Sequence, residues 1–267
     1  MIEKYFSKET NLAVSAAKEA GELLMQGFGT TFSIKAKDGR HNLVTEYDTK
    51  SENLILDRII SCFPHHNFLC EETGRHGKEE NEYLWIIDPL DGTVNFAHNI
   101  PIFSVSIAYA EKQEVLSGVI YHPMMNELFV AEKGKGAFLN NEKLSVTAVS
   151  AFEEAVFGTG FPYNTYENPL HCIDHFINVA KQGIPIRRLG SAAIDLAYLA
   201  AGRFDAFWEV FLQPWDYAAG KLLVEEAGGV LTDIHGKYYE SIVKGSIVAS
   251  NRVLHEKILK QLSFYGD

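Results

Sequence analysis

Trp85-Ile86-Ile87-Asp88-Pro89-Leu90-Asp91-Gly92-Thr93-Val94-Asn95-Phe96 joins an apolar run to two closely spaced acids. The run that begins at Tyr83 and ends at Ile87 is rich in β-branched and aromatic residues, and it predicts a buried strand. Asp88-Pro89 and Asp91-Gly92 are expected to break this strand, because a proline restricts its own backbone and that of the residue before it. The two carboxylates are therefore expected on a stiff turn at the end of a strand.

This turn offers two kinds of ligand-binding group. Asp88 and Asp91 supply carboxylate oxygens, which suit a hard divalent cation such as Mg²⁺. Gly92 lets the backbone approach a ligand closely, and the N–H groups of Gly92 and Thr93 suit phosphate oxygens, most of all where a helix begins. Asp-Pro and Asp-Gly are also common turn dipeptides, so the turn alone leaves a purely structural role open.

Four ordered blocks of sequence carry a resemblance to a known family. They are Leu43 to Asp48, Glu71 to Thr73, Asp88 to Thr93 with Asn95-Phe96, and Trp215 to Gly220 running on to Val230. Together they resemble the inositol monophosphatase family, the magnesium-dependent, lithium-sensitive sugar-phosphate phosphatases, over nearly the whole chain. The resemblance implies a two-lobed layered sandwich (αβαβα) of mixed α+β and α/β class.

The order of predicted elements agrees with that layout. An amphipathic helix is predicted at 11–27 and an antiparallel meander within 104–139. Residues 145–155 shift to small and polar types, and beyond them strands and helices alternate, which indicates an α/β lobe. We expect an N-terminal α+β lobe at 1–145 that carries the metal-binding turn, a C-terminal α/β lobe at 146–267, and an active site between them.

Composition excludes several classes of function. The formal net charge of −11 and the lack of a Lys/Arg-rich run argue against a nucleic-acid partner. Three cysteines, Cys62, Cys70 and Cys172, form no C-x-x-C pair and leave one over, unlike a disulfide framework or a zinc site. The first residues lack the long apolar core of a signal peptide, and 94–110 is too polar to span a membrane. We expect a cytoplasmic protein with no membrane association.

Acids outside the turn have structural explanations of their own. Thr45 and Asp48 form a capping-box pattern before an apolar-periodic run. Glu71 precedes a polar loop, where acids usually face solvent. The resemblance adds that Asp48, with Thr93, orients the attacking water, and that Glu71 is a metal ligand. Lys35 is either a solvated surface lysine or, as in the basic loop of the family, a group that approaches phosphate.

The resemblance implies a complete site for two or three Mg²⁺ ions and a phosphate monoester. The metal ligands are Glu71, Asp88, the carbonyl of Leu90, Asp91 and Asp216; the catalytic residues are Asp48, Glu71 and Thr93; the substrate-binding residues are Asp91, Gly92, Thr93, Gly190, Ser191, Ala192 and Glu209. Asp216 also fits the N-terminus of a helix, and Glu209 also fits a polar strand end. Four such acids converge only around protons or cations, since two carboxylates about 4 Å apart repel by roughly 4 kcal/mol at an effective dielectric near 20.

The expected activity is metal-assisted hydrolysis of myo-inositol 1-phosphate, without a phospho-enzyme, by a homodimer. Alternatives on the same fold are a fructose-1,6-bisphosphatase, a 3′-phosphoadenosine 5′-phosphate phosphatase, or a regulatory protein acting on RNA or the transcription machinery. Asp195, which follows the predicted substrate segment, is as compatible with a solvent-facing position as with the pocket.

Overall fold

The computed structural model describes residues 5–37, 42–78, 82–239 and 241–262. Helices within these ranges are α1 Lys8–Gly27, α2 Glu46–Cys62, α3 Thr93–Ala97, α4 Cys172–Lys181, α5 Ala192–Ala200, α6 Pro214–Glu226 and α7 His255–Leu262. Strands are β1 Ile34–Ala36, β2 Leu43–Thr45, β3 Asn67–Cys70, β4 Gly74–His76, β5 Tyr83–Asp91, β6 Ser104–Glu111, β7 Glu114–His122, β8 Glu127–Glu132, β9 Gly136–Leu139, β10 Glu142–Lys143, β11 Phe157–Thr159, β12 Ile186–Arg187, β13 Ala206–Leu212, β14 Val230–Thr232 and β15 Gly245–Ser250.

Two large mixed sheets form the framework. The described strands of the first run in the order β10-β9-β8-β7-β6-β5-β3-β4, and those of the second in the order β12-β11-β13-β15-β14. The predicted meander is confirmed, because β6, β7, β8 and β9 pair antiparallel in sequence order. The antiparallel pair of β1 and β2 stands apart from both sheets.

Alternate residues of the strands show how the layers stack. Trp85 and Ile87 of β5 pack with α1 and α2, whereas Ile86 between them packs with α5 and α6. Phe207 of β13 packs with the same two helices, and its neighbour Trp208 packs on the other side, with α4 and α7. Because side chains alternate between the faces of a sheet, both sheets are covered on both faces. The order of layers is helix, sheet, helix, sheet, helix, so the predicted αβαβα sandwich is confirmed.

Two local predictions were wrong. Residues after Glu72 were expected to form a loop, but Gly74–His76 pairs with β3 as a short edge strand. The Asp88-Pro89 pair was expected to end the strand, but β5 continues to Asp91 with a shift of register against β6 between Asp88 and Asp91. A β-bulge absorbs the extra residues and bends the strand without ending it.

Helix starts follow the capping signals in the sequence. The side chain of Ser7 accepts from Thr10 N, so α1 begins three residues before the predicted start at Asn11. Thr45 and Asp48 form the predicted capping box of α2.

The central hydrophobic cluster contains residues from both sides of position 145, and the division into lobes at that position stays a prediction. In the described ranges no helix is long and apolar enough to cross a membrane.

Candidate active site

A cavity of about 930 Å³ opens where the end of β5 meets the first turns of α5 and α6. This volume lies within the range of roughly 300–1,000 Å³ that is usual for small-molecule sites. Its wall contains every predicted site residue except Asp48, namely Glu71, Asp88, Leu90, Asp91, Gly92, Thr93, Gly190, Ser191, Ala192, Glu209 and Asp216. Segments that are far apart in the sequence therefore meet at one cavity.

The bulge at the end of β5 positions Asp88 and Asp91, the two aspartates of the central turn at residues 88–93. Asp88 is buried, and its Oδ1 accepts from Leu90 N at 3.0 Å. Gly92, at φ +93°, ends the turn and precedes α3. A Cβ at this position would lie 3.0 Å from the carbonyl oxygen of Ile102 and 3.3 Å from that of Gly190. Only glycine adopts this backbone without strain, so the turn depends on it for shape as well as for access.

Asp91 joins the turn to the start of α5. Its Oδ2 accepts from Ser191 Oγ at 2.5 Å and from Ala193 N at 2.8 Å. The side chain of Ser191 also caps α5 by accepting from Ile194 N. A carboxylate at a helix N-terminus is stabilised by the free N–H groups there. The segment predicted to meet substrate thus also holds Asp91 in place.

Asp216 occupies the first turn of α6. Its Oδ2 accepts from Gln213 N at 2.6 Å, and Pro214 stands at the first helical position. The structural explanation of Asp216 as a capping acid is therefore correct. Because Asp216 also lies on the cavity wall, the cap and a ligand role are compatible.

Asp48 reaches the site through Thr93. It is fully buried, and its Oδ2 accepts from Thr45 N at 2.7 Å and from Thr45 Oγ1 at 2.6 Å. Its other oxygen accepts from Thr93 Oγ1 at 2.9 Å, and that hydroxyl also lies 3.0 Å from Leu90 O. The capping role and the link to Thr93 are both present in one side chain.

Glu71 is paired with a lysine that differs from the one considered in the sequence. Lys37 Nζ lies 3.0 Å from Glu71 Oε1 and 2.5 Å from Glu72 Oε1, and it lines the cavity. Lys35 lies exposed on β1. Thus the basic group beside the acids is Lys37, two residues further along the chain. Residues 38–41 of the predicted loop lie outside the described ranges.

Sequence reasoning missed two supporting residues. Glu52 is buried on α2, and its carboxylate accepts from Glu72 N at 2.9 Å and from Thr73 N at 3.0 Å, next to Glu71. Asn95 Nδ2 donates to Ile102 O and to Leu189 O, both at 2.8 Å. Glu52 lies four residues after Asp48 and so on the same face of α2, a spacing that could have revealed it.

Two further acids lie on the wall formed by the second sheet. Glu209 of β13 is half-buried, and Asp195 of α5 is 1% exposed, so the solvent-facing alternative for Asp195 was wrong. No hydrogen bond to Asp195 Oδ1 is found among the described residues. Burial, followed by the charge of Asp91, raises the pKa of Glu209 to about 8, although the nearby Arg188 opposes this shift. Burial also raises the pKa of Asp195 well above its usual range, so both acids hold their protons to a higher pH than exposed carboxyls do.

Burial and mutual repulsion together weaken the acidity of the central carboxyls. Burial raises the pKa of Asp88 well above its usual range, and the charges of Glu71, Asp91 and Asp216 add to the shift. Burial also raises the pKa of Glu71 to about 7 despite the charge of Lys37. For Asp91 burial raises the pKa to about 6, against hydrogen bonds from Ser191 and Ala193. A cation among these groups would relieve both causes.

The donor set fits a hard divalent cation. Asp88, Asp91 and Asp216 all present carboxylate oxygens on the cavity wall, and hydrogen bonds from Leu90 N, from Ser191 Oγ and Ala193 N, and from Gln213 N hold them in place. Among the described residues, no group of three or more Asp, Glu, His or Cys side chains is already arranged to hold a metal ion. Oxygen-only donors suit Mg²⁺ better than zinc. The residues therefore fit Mg²⁺ by chemistry.

Comparison with solved structures supports the fold. A suhB protein from Bartonella henselae aligns with a TM-score of 0.90 and 39% identity, covering 98% of this chain and 100% of the other. A structure described as an IMPase/NADP phosphatase complexed with Mg²⁺ and phosphate aligns with a TM-score of 0.82 and 25% identity, covering 93% and 92%. The second relative binds both kinds of ligand that the sequence of the central turn suggested.

Curated relatives carry two kinds of name. An inositol-1-monophosphatase from Mesorhizobium japonicum is 41% identical over 251 residues, 94% of each chain. A protein from Pseudomonas aeruginosa named Nus factor SuhB is 42% identical over 257 residues, 93% of each chain. The model of the inositol monophosphatase family matches residues 7–267. With this match over nearly its whole length, the chain belongs to the inositol monophosphatase family, a family of metal-dependent phosphatases.

Proposed function

We propose that this chain uses Mg²⁺ to hydrolyse myo-inositol 1-phosphate to myo-inositol and phosphate. One observation carries the proposal: Glu71, Asp88, Asp91 and Asp216 line a single cavity together with Thr93, whose hydroxyl is bonded to Asp48. A relative of 41% identity that is named inositol-1-monophosphatase supports the choice of substrate.

The acids on the wall divide into two groups of metal ligands. Glu71, Asp88 and the carbonyl of Leu90 would hold one Mg²⁺, and Asp88, Asp91 and Asp216 would hold a second. Glu71 would also reach a weaker third ion through water. When bound, the ions supply positive charge for the phosphoryl group and the leaving oxygen, and lower the pKa of a bound water.

Asp48 and Thr93 act on the attacking water. The hydroxyl of Thr93 orients it, and Asp48 accepts its proton through that hydroxyl. Burial raises the pKa of Asp48, while hydrogen bonds from Thr45 and Thr93 oppose the shift. A carboxylate of raised pKa is a better proton acceptor at neutral pH than an ordinary one. The N–H groups of Gly92 and Thr93, at the start of α3, donate to the phosphate oxygens.

The wall formed by α5 and β13 faces the alcohol part of the substrate. Glu209 accepts hydrogen bonds from ring hydroxyls, and the backbone from Gly190 to Ala192 contacts the same ring. We expect Glu209→Gln to lower kcat/KM for myo-inositol 1-phosphate far more than for 4-nitrophenyl phosphate, because the aryl ester has no ring hydroxyls. Equal losses on the two esters would contradict this role.

The metal site is tested by Asp91→Asn. The amide keeps the shape of the side chain and its oxygen still accepts from Ala193 N, so the fold should persist, whereas the loss of a negative ligand should abolish Mg²⁺-dependent phosphate release. The matched control is Asp57→Asn, an equal charge change at an exposed position of α2. Circular dichroism would verify folding, and near-wild-type kcat in Asp91→Asn would overturn the proposal.

Two other functions are distinguished by direct assay. A panel of fructose 1,6-bisphosphate, 3′-phosphoadenosine 5′-phosphate and myo-inositol 1-phosphate, scored by released phosphate, separates the sugar and nucleotide phosphatases. Relatives named Nus factor favour a role in transcription as a second candidate. Our proposal includes no nucleic-acid partner, and tight RNA binding at physiological salt would support the second candidate.

Further properties are proposed from membership of the family. We expect a homodimer, inhibition by Li⁺ and a cytoplasmic location. Light scattering of the purified protein and titration of the activity with LiCl test the first two.

A further inference from the structure

Asp195 is a buried acid of the cavity wall that the proposed chemistry does not use. It lines the active-site cavity, yet its side chain is only 1% exposed. Its Oδ1 atom is buried and has no hydrogen-bond partner among the described residues. A buried polar atom without a partner destabilises the fold. On the wall of a cavity this cost is explained if the missing hydrogen-bond donor belongs to the ligand.

Glu209 points toward the helix that carries Asp195. β13 pairs with β15 in regular register from Ala206 to Glu209, so residues two apart on this part of the strand share a face. Phe207 packs against α5 and α6, and Glu209 therefore points toward the same helices. After burial, the charge of Glu209 is the largest cause that raises the pKa of Asp195 on α5. The two acids thus lie on the two sides of the space between β13 and α5.

Two glycines leave this space open. A Cβ on Gly158 would lie 3.2 Å from Asp195 Oδ1, and a Cβ on Gly160 would lie 2.0 Å from Glu209 Oε2. Gly158 belongs to β11, which pairs with β13 and places this glycine opposite Phe207. Gly160 follows the end of β11 and lines the cavity. Because neither residue has a side chain, both acids keep room for a ligand group beside them.

The charges around this space favour an uncharged group over an anion. Arg188 is exposed, and its guanidinium lies 5.8 Å from the ring centre of Phe161. Its charge opposes the rise in the pKa of both acids, but within the described parts of the chain no ion pair joins it to either one. Two neighbouring acids repel an anion. A hydroxyl group, in contrast, donates a hydrogen bond to a carboxyl oxygen.

We propose that Asp195 binds a hydroxyl of the alcohol ring, next to the hydroxyl that Glu209 binds. This inference rests on the proposed function and deepens it, because the two acids together select a ring with two neighbouring hydroxyls over a ring with one. The hydroxyl supplies the hydrogen bond that Asp195 Oδ1 lacks. A carboxyl group accepts such a bond whether or not it holds a proton.

The test removes ring hydroxyls one at a time. The substrates are myo-inositol 1-phosphate and its monodeoxy analogues, each of which lacks one hydroxyl, and released phosphate is measured. We expect the loss of one particular hydroxyl to lower kcat/KM of the wild type about tenfold, the size of one hydrogen bond to a carboxyl group. Asp195→Ala should lower kcat/KM for myo-inositol 1-phosphate by a similar factor. Removal of the same hydroxyl should then have no further effect in this variant, because the interaction is already lost.

Three further variants show whether the effect belongs to Asp195. Glu209→Gln should lose its sensitivity to a different hydroxyl, on a neighbouring ring carbon. Asp195→Asn keeps an oxygen that accepts from a hydroxyl, so it should keep most of the sensitivity. The matched control is Ile194→Val, a small change at a buried residue of α5 that is not among the described residues of the cavity wall. Its ratios between the analogues should equal those of the wild type, and circular dichroism would verify that each variant folds.

The outcomes are distinct. Equal proportional losses on every analogue in Asp195→Ala, and on cyclohexyl phosphate, which has no hydroxyl, would overturn the contact and leave Asp195 a structural residue. Coupling of both acids to the same hydroxyl would overturn the selection of a neighbouring pair. If the wild type released no phosphate from myo-inositol 1-phosphate, the proposed function itself would fail, and the contact with it.

Discussion

The hydroxyl of Thr93 gives the sharpest test of the proposed chemistry. Thr93→Val keeps the shape of the side chain and the backbone N–H, but removes one of the three hydrogen bonds that the buried carboxylate of Asp48 accepts. A hydrogen bond to a charged group contributes about 1.5–3 kcal/mol, so the free energy of unfolding should fall by about 2 kcal/mol. For a chain of this size that corresponds to a fall in Tm of very roughly 4–8 °C.

The effect on catalysis should be larger than the effect on stability. A positioned acid or base contributes about 10²–10⁴-fold to rate. Because Asp48 remains in the variant, we expect a loss of kcat near the lower end, about 100-fold. Phosphate release from myo-inositol 1-phosphate would be measured at saturating Mg²⁺ and below the lowered Tm, with urea unfolding in parallel.

Thr93→Ser is the matched control, since it restores the hydroxyl without the methyl group. It should recover most of kcat and most of the stability. A kcat for Thr93→Val within about threefold of the wild type would refute the reasoning, because a general-base relay cannot lose its hydroxyl at so small a cost. Equal defects in the Val and Ser variants would point to packing of the methyl group.

Two further predictions concern stability. Asp195→Asn should make the protein more stable at neutral pH. Burial raises the pKa of Asp195 in the folded state, so the wild type loses stability as pH rises from the pKa of the unfolded chain, about 4, through the folded-state pKa. Urea unfolding from about pH 5 to about pH 9 should show a flatter curve for the variant, and parallel curves would contradict this. Gly92→Ala should cost about 2 kcal/mol or more, since φ is +93° and the new Cβ would lie 3.0 Å from Ile102 O. The control is Gly29→Ala, at φ +78° with no described atom within 4 Å of the new Cβ. It should lower the free energy of unfolding by only the cost of the left-handed backbone, about 1–2 kcal/mol. Equal losses of stability in the two variants would mean that the structure relieves the contact at Gly92.

Local signals in the sequence were sufficient for most secondary structure. The Thr45–Asp48 capping box, the apolar run before Asp88 and the turn signals of the meander each act over a few residues, and each element appears where it was expected. The predicted end of the strand at Asp88-Pro89 was wrong because β5 pairs with β6 on both sides of the bulge and so continues to Asp91. A proline in a strand can be accommodated at a bulge, and no local pattern shows whether a partner strand is there.

The sequence, with the help of the family resemblance, identified the acids that line the cavity. It did not show which groups contact them. Ordered motifs named Glu71, Asp88, Asp91 and Asp216, because the residue types and the short spacings are properties of the chain itself. That Asp91 is held by Ser191 and Ala193, that Lys37 rather than Lys35 faces Glu71, and that Asp195 is buried were decided by the tertiary structure. Each depends on which segments pack together, and a contact between positions a hundred residues apart leaves no trace in the local pattern of either one.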